Sequence, residues 1–268
     1  MITINYIGCF GNKMFQYVFA RLLSEANNIN LNAESPLPQT EVKRFTEPAL
    51  KMGSTTICDY MYKDLFRDKP LKPLDPNHDY VISGYFQDAD LCNKHVSQIR
   101  GFFDIDYPDT LLDKALVTVR LGDFVWEGHN SEIIHYDYYK HALSHITGEV
   151  DVSVGGNRFK GSTLATAEQE EKYLSYFVKD TFNMIEPQED FLSEFTSNFK
   201  YKTMVLSNST WAWWAGFLSK SSDIYTFEKT GWFSPGNHKC HGIHINNLYN
   251  IRNISKPIAG DFIDISKL

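Results

Sequence analysis

The chain has 268 residues, of which 43% are hydrophobic and 22% are charged, and this composition excludes a disordered or fibrous protein. Its formal net charge is −7, so its long-range field repels nucleic acid and anionic membrane surfaces. An anionic ligand would therefore have to meet a local cluster of hydrogen-bond donors.

Strand-like and helix-like runs alternate along the chain, which is typical of parallel sheets covered by helices. The elements predicted for the first part are strands at residues 2–7 and 79–83 and helices at residues 12–28 and 88–103. Those predicted for the second part are strands at 115–120, 203–206 and 223–227 and helices at 136–146 and 211–218.

This alternation predicts an α/β fold built from two Rossmann-like, doubly wound halves with a ligand cleft between them. The expected N-terminal domain covers residues 1–108, and the expected C-terminal domain covers residues 109–268. Each half contains a strand that runs through a polar turn directly into a helix, so each offers a place for a ligand.

The first polar turn lies in GCFGNKMFQYVFAR, residues 8–21. Gly8 and Gly11 allow a close backbone turn, and Asn12 offers an amide to a sugar or phosphate oxygen. A dinucleotide fingerprint would need a glycine where Met14 stands, so a nicotinamide cofactor is not expected. The alternative is a tight strand-to-helix turn with no ligand.

The second segment is ISGYFQDADL, residues 82–91, in which Asp88 and Asp90 form a D-x-D pair. Such a pair holds a divalent metal on the sugar nucleotide in one class of glycosyltransferase. Acidic residues are also favoured at the start of a helix, where they cap N–H groups and match the helix dipole. The second interpretation is preferred, and no metal is expected.

The third segment is VTVRLGDFV, residues 117–125, a predicted strand followed by a polar loop. The planar guanidinium of Arg120 can donate two hydrogen bonds at once to an anion. Asp123 is a candidate general base, or a residue that orients Arg120. The alternative is a simple ion pair between the two.

The fourth segment is VLSNSTWAWWAGFLS, residues 205–219. Ser207, Asn208, Ser209 and Thr210 follow a predicted strand and precede a helix, where hydroxyls and backbone N–H groups together suit a phosphate. The alternative is a capped core helix filled with aromatic side chains. Asn208 also begins a glycosylation sequon, and a glycan there would block the proposed site.

Three further features carry weaker expectations. The segment VDVSVGGN, residues 150–157, is a candidate strand. Asp190 is an acidic residue that suits an exposed helix position. A loop at residues 238–244 concentrates potential metal ligands, but no second ligand pair accompanies it, so a solvated loop is expected. The potential metal ligands of this loop are His238, Cys240, His241 and His244.

Taken in order, the four segments resemble the motifs of bacterial and viral α1,2-fucosyltransferases. The family has a glycine-rich opening followed by MFQYAFAR, a glycine-tyrosine-phenylalanine-glutamine stretch, a histidine-x-arginine-arginine-x-aspartate strand end, and SNSTFSWWGAWL. The chain departs at two positions of the third motif, where Thr118 stands for the histidine and Leu121 for the second arginine.

The resemblance implies an inverting, metal-independent enzyme of GT-B architecture. It would transfer L-fucose from GDP-fucose to a sugar hydroxyl, in an α1,2 linkage on a galactoside, with GDP-fucose as substrate and no cofactor. The catalytic residues implied are Asn12, Arg120 and Asp123, and the donor-binding residues implied are Gly11, Arg120, Ser207, Asn208, Ser209 and Thr210. Two alternatives stay open: another GDP-deoxysugar as donor, or a catalytically inactive relative that binds glycan or nucleotide.

The expected compartment is the cytoplasm. The first residues, MITINYIGCF, read as a strand rather than as a signal peptide, and no apolar run is long enough to span a bilayer. The four cysteines are widely spaced and form no CxxC pair, which is typical of reduced thiols.

Overall fold

The computed structural model describes residues 1–37, 54–58, 73–126, 133–155, 164–176, 182–185, 190–227 and 255–265, with the side chains of residues 123, 126 and 164–166 outside the description. The described chain has an α/β fold with parallel sheets and divides into two compact units. The described residues of the first unit lie within Met1–Ile105, and those of the second unit begin at Asp106.

The first unit contains a parallel sheet and the helices that follow its strands. Its elements in chain order are β1 (Ile2–Asn5), α1 (Phe10–Asn27), β2 (Leu31–Asn32), β3 (Ser54–Cys58), β4 (Asp79–Ser83), α2 (Ala89–Lys94) and α3 (Val96–Arg100). The four strands lie in the order β2-β1-β4-β3, and every pair is parallel. The carboxyl ends of β1 and β4 are therefore neighbours.

The core of the first unit forms between this sheet and α1. Phe19 of α1 stacks on Phe86 with the ring centroids 4.2 Å apart, and both side chains are buried. The helix ends at Asn27, and the cap residue Asn28 has a left-handed φ of 54°, a common C-terminal cap conformation. Apolar residues at steps of three and four therefore predicted this helix correctly, although it begins two residues earlier than expected.

The predicted continuous helix at residues 88–103 is wrong, because the chain forms two short helices there. His95 separates them, with φ −113° and ψ 22°, outside the helical region. Its N–H closes the end of α2 by donating to the carbonyls of Leu91 and Cys92. Its ring nitrogen Nδ1 lies 3.1 Å from Oε1 of Gln98 in α3. One residue therefore ends one helix and begins the next.

The second unit is larger and is built around a second parallel sheet. Its elements in chain order are β5 (Leu112–Arg120), α4 (Asp123–Trp126), β6 (Ile133–Ile134), α5 (Tyr136–Leu143), β7 (Val150–Gly155), α6 (Leu164–Ser175), β8 (Phe182–Met184), α7 (Phe191–Ser197), β9 (Tyr201–Val205), α8 (Thr210–Leu218), β10 (Asp223–Phe227), β11 (Ser255–Ile258) and β12 (Phe262–Ile263). A short 3₁₀ helix, Asn198–Lys200, precedes β9.

The strand order of this sheet is β11-β10-β9-β5-β7-β8, with every neighbour parallel. The chain proceeds from β5 through β7 to β8 on one side, then returns to β9 and continues through β10 to β11 on the other. This is the doubly wound order of a dinucleotide-binding domain, and its direction reverses between β5 and β9. Ligands of such sheets bind where the strand order reverses, at the carboxyl ends.

The residues of β5 suit the centre of this sheet. Ala115 through Val119 are all buried, as expected of a parallel strand covered by helices on both faces. Helix α8 is also buried on nearly every side, from Ala212 to Leu218. An apolar helix of this kind belongs inside a domain. No described helix is both long and apolar enough to cross a membrane.

Candidate functional site

The reversal point of the second sheet brings together two segments that the sequence singled out. Strand β5 ends at Arg120, and its neighbour β9 ends at Val205, directly before Leu206 and Ser207. Leu116 and Val117 of β5 pair with Met204 and Val205 of β9. The third and fourth motifs therefore lie side by side at the carboxyl edge of one sheet.

Arg120 is half-buried at this edge, and its guanidinium group lies over an aromatic ring. Its guanidinium carbon lies 5.0 Å from the centroid of the Phe124 ring, within the range of a cation–π interaction. Leu121 is completely buried in the apolar core of the unit. The position that matches the family's second arginine is therefore a core position in this chain.

The loop after Arg120 is anchored by a carboxylate that sequence reasoning did not find. The N–H of Gly122 donates to Oε1 of Glu170, in α6, at 3.0 Å. Gly122 has a φ of 58°, which suits glycine, and Glu170 is only 3% exposed. Glu170 lies in a charged stretch that gave no sign of burial. The side chain of Asp123 lies outside the described part of the structure.

The polar elbow, Ser207–Thr210, connects β9 to α8. Ser207 and Asn208 are buried, whereas Ser209 and Thr210 are half-exposed. Ser209 is the N-terminal cap residue of α8 and its side chain makes no capping hydrogen bond. The outward face of the elbow therefore consists of Ser209, Thr210 and the start of the helix.

The tryptophan pair lies in α8, the helix that begins at the elbow. Trp213 and Trp214 are buried and meet edge to face with centroids 4.9 Å apart. Phe217 stacks on Trp213 at the same distance of 4.9 Å. These rings hold α8 in the core of the second unit.

In the first unit, the carboxyl ends of β1 and β4 bring together two other motifs. Nε2 of Gln87 donates to Oδ1 of Asn12 at 2.7 Å. Phe86, just before Gln87, has an uncommon positive φ of 50°. Gln87 was part of a recognised motif, but nothing in the sequence indicated that Asn12 was its partner.

The turn before α1 is also held by side chains. Gln16 is completely buried, and its amide forms two hydrogen bonds with the backbone of Ile7, accepting from the N–H at 3.0 Å and donating to the carbonyl at 2.8 Å. Gly8 follows with a φ of 74°. Gly11 lies within the first turn of α1 and is buried.

We expect Gly8→Ala to destabilise the protein and displace Asn12. A β-carbon at residue 8 would collide with Nδ2 of Asn12, and the positive φ adds strain of about 1–2 kcal/mol. Gly148→Ala is a control, because Gly148 also has a positive φ, of 109°, but its β-carbon would meet only the carbonyl oxygen of Asp113, at 3.9 Å, which is an ordinary contact. Urea unfolding should show a larger loss of stability for Gly8→Ala. Equal losses would contradict the collision with Asn12.

The acidic residues of the D-x-D pair lie at a helix start. Oδ1 of Asp88 accepts a hydrogen bond from the N–H of Leu91 at 2.9 Å and caps α2, and Asp90 lies in the first turn. Asp190 caps α7 in the same way, and hydrogen bonds from Ser193 lower its pKa. The capping interpretation of the D-x-D pair is confirmed, and Asp190 is exposed, as expected.

Among the described residues, no group of three or more His, Cys, Asp or Glu side chains is arranged to hold a metal ion. The ligand types at residues 238–244 lie outside the described residues.

The chain is similar to a known glycosyltransferase. Over 181 residues the chain is 26% identical to the O-antigen biosynthesis glycosyltransferase WbnK of Escherichia coli. The alignment covers 60% of this chain and 57% of the relative, so the chain spans little more than half of the relative's length. No model of a known protein family matches the chain.

Proposed function

We propose that the protein is a glycosyltransferase that uses a nucleoside-diphosphate sugar as donor. The observation that carries the proposal is the position of Arg120 beside the polar elbow, at the reversal point of a doubly wound sheet. The similarity to an O-antigen glycosyltransferase supports the same activity. The proposal extends to a GT-B enzyme in which the second unit binds the donor.

The chemistry of sugar transfer explains why these groups suit the site. As the glycosidic bond breaks, the departing nucleoside diphosphate gains negative charge. Arg120 can donate two hydrogen bonds to that charge, and the N–H groups at the start of α8 can donate more. Donors aimed at a developing charge stabilise the transition state by about 3 kcal/mol each. Leaving-group stabilisation is therefore the main catalytic contribution that we assign to the second unit.

The finer proposal follows the motif resemblance. The donor is GDP-fucose, and the acceptor is a sugar hydroxyl that attacks the anomeric carbon from the side opposite GDP, with inversion and without a metal. We assign Gly11, Arg120 and residues 207–210 to the donor and Asn12 to the reacting sugars. Asp123 has two candidate roles, as the general base or as the residue that orients Arg120.

The buried position of Leu121 favours one second candidate function. Leu121 is an apolar core residue at the position where the fucosyltransferase motif has its second arginine. The proposed site therefore has one guanidinium group fewer than the motif supplies. A relative that binds GDP or a glycan without catalysing transfer would tolerate this loss. GDP binding without turnover on any acceptor would support that candidate.

Calorimetric titration with GDP, UDP and ADP in the presence of a chelator tests the donor site. We expect binding that is selective for GDP, persists in EDTA and is lost in Arg120→Ala. Binding that appears only when a divalent metal is added would contradict the metal-independent site. If GDP binds, a panel of GDP-sugars then distinguishes fucose from other deoxysugar donors.

A further inference from the structure

We infer that Thr118 and Tyr138 are positioning residues, which hold the Leu206–Ser207 peptide from both sides and so fix the direction of the polar elbow. The peptide hydrogen bonds are observed in the structure. The effect on the ligand rests on the proposed function. Neither residue belongs to the donor-binding set named above.

Thr118 holds the N–H side of this peptide. The N–H of Ser207 donates to Oγ1 of Thr118 at 2.9 Å, and Thr118 is only 3% exposed in the middle of the sheet. The Thr118 hydroxyl in turn donates a hydrogen bond to the carbonyl of Val205 at 3.3 Å or to Oγ of Ser207 at 3.4 Å. One hydroxyl therefore joins β5 to the first residue of the elbow.

Tyr138 holds the carbonyl side of the same peptide. Its hydroxyl donates to the carbonyl of Leu206 at 2.7 Å and lies 3.3 Å from the carbonyl of Tyr225 in β10. Tyr138 is completely buried, and burial raises the pKa of its hydroxyl well above the ordinary value, so the hydroxyl keeps its proton. The ring packs edge to face on Phe227, which fixes its position.

These contacts determine the orientation of the peptide because a peptide unit is planar. Its carbonyl and N–H point in opposite directions, so a partner on each side prevents the plane from rotating. Strand β9 ends at Val205, so this peptide lies just beyond the strand and two side chains hold its N–H and carbonyl. The next residues form the elbow and the start of α8. A displacement of about 1 Å at such a site can reduce activity about 100-fold.

The test uses hydroxyl deletions with a matched control. Tyr138→Phe and Thr118→Val remove the two anchors with little change in volume. Tyr173→Phe is the control, because Tyr173 is also completely buried and its hydroxyl donates to a backbone carbonyl, that of Ile134, away from the elbow. Thr118→Ser keeps the hydroxyl and serves as the rescue variant.

With GDP as the probe, we expect each of the two deletions to weaken binding about tenfold, as for the loss of one well-formed hydrogen bond. Tyr173→Phe should lower the melting temperature without changing the GDP affinity, and Thr118→Ser should retain most of the affinity. The double variant should lose less than the product of the single effects, because both anchors act on one peptide. Equal affinities in Tyr138→Phe and Tyr173→Phe would overturn the inference.

Hydrogen exchange of the elbow separates this inference from the proposed function. Amides of residues 207–211 should exchange faster in Thr118→Val and Tyr138→Phe than in Tyr173→Phe, whether or not GDP is the ligand. If the wild type binds no GDP but the variants show this exchange pattern, the proposed donor is wrong, and Thr118 and Tyr138 still position the elbow. Unchanged protection of the elbow in both deletion variants would overturn the anchors themselves.

Discussion

Arg120→Ala is expected to reduce sugar transfer by about 100- to 1000-fold, the usual effect of removing one donor aimed at developing charge. The reason is the loss of the two hydrogen bonds that the proposed mechanism assigns to Arg120. The measurement is single-turnover transfer from the proposed donor, GDP-fucose, with the melting temperature followed in parallel. Because Arg120 is half-buried at the sheet edge, the fold should survive the substitution.

Two further variants separate charge from geometry at this position. Arg120→Lys keeps the charge but not the planar pair of donors, so we expect it to recover only part of the activity. Phe124→Leu removes the ring beneath the guanidinium and leaves the charge in place, so its effect should be smaller than that of Arg120→Ala. Near-normal turnover in Arg120→Ala would contradict the proposed mechanism.

Trp214→Ala is expected to have the largest effect on stability, a loss of about 3–5 kcal/mol. Trp214 is completely buried, and its ring lies edge to face on Trp213 at 4.9 Å and on Phe217 at 5.3 Å. Removing it leaves a cavity in the buried aromatic cluster of α8. Urea unfolding measured by far-UV circular dichroism checks the loss of stability, and titration with GDP checks whether the proposed donor binding is also weakened.

Trp211→Ala is the matched control on the same helix. Trp211 is only half-buried and packs edge to face on Phe195 at 5.5 Å, so we expect a smaller loss of stability. Equal losses in the two variants would mean that burial of Trp214 does not set the stability of this region.

The elements of the fold could be predicted where a local pattern decides them. The strands at residues 79–83 and 223–227 have the predicted bounds. The helix break at His95 was missed because the apolar pattern continues on both sides of it. The order of the strands in the sheet could not be predicted either, because no local pattern indicates that β5 lies between β7 and β9.

The candidate site was predictable as motifs but not as contacts. Arg120 and the elbow were found from their residue types, and their roles in binding remain predictions. Their supporting residues were missed because the contacts join distant parts of the chain. Thr118 is 89 residues from Ser207, and Gln87 is 75 residues from Asn12. Glutamine, threonine and tyrosine are common in many surroundings, so their identity alone does not indicate such roles.

The central place of β5 also affects how the second unit is made. During synthesis, β5 emerges long before β9, because 87 residues separate Thr118 from Val205. At about 5–20 residues per second, the edge of β5 that pairs with β9 waits roughly 4 to 17 seconds for its partner. A buried apolar strand with an open edge is prone to pair with other chains. We therefore expect the nascent second unit to depend on chaperones until β9 has emerged.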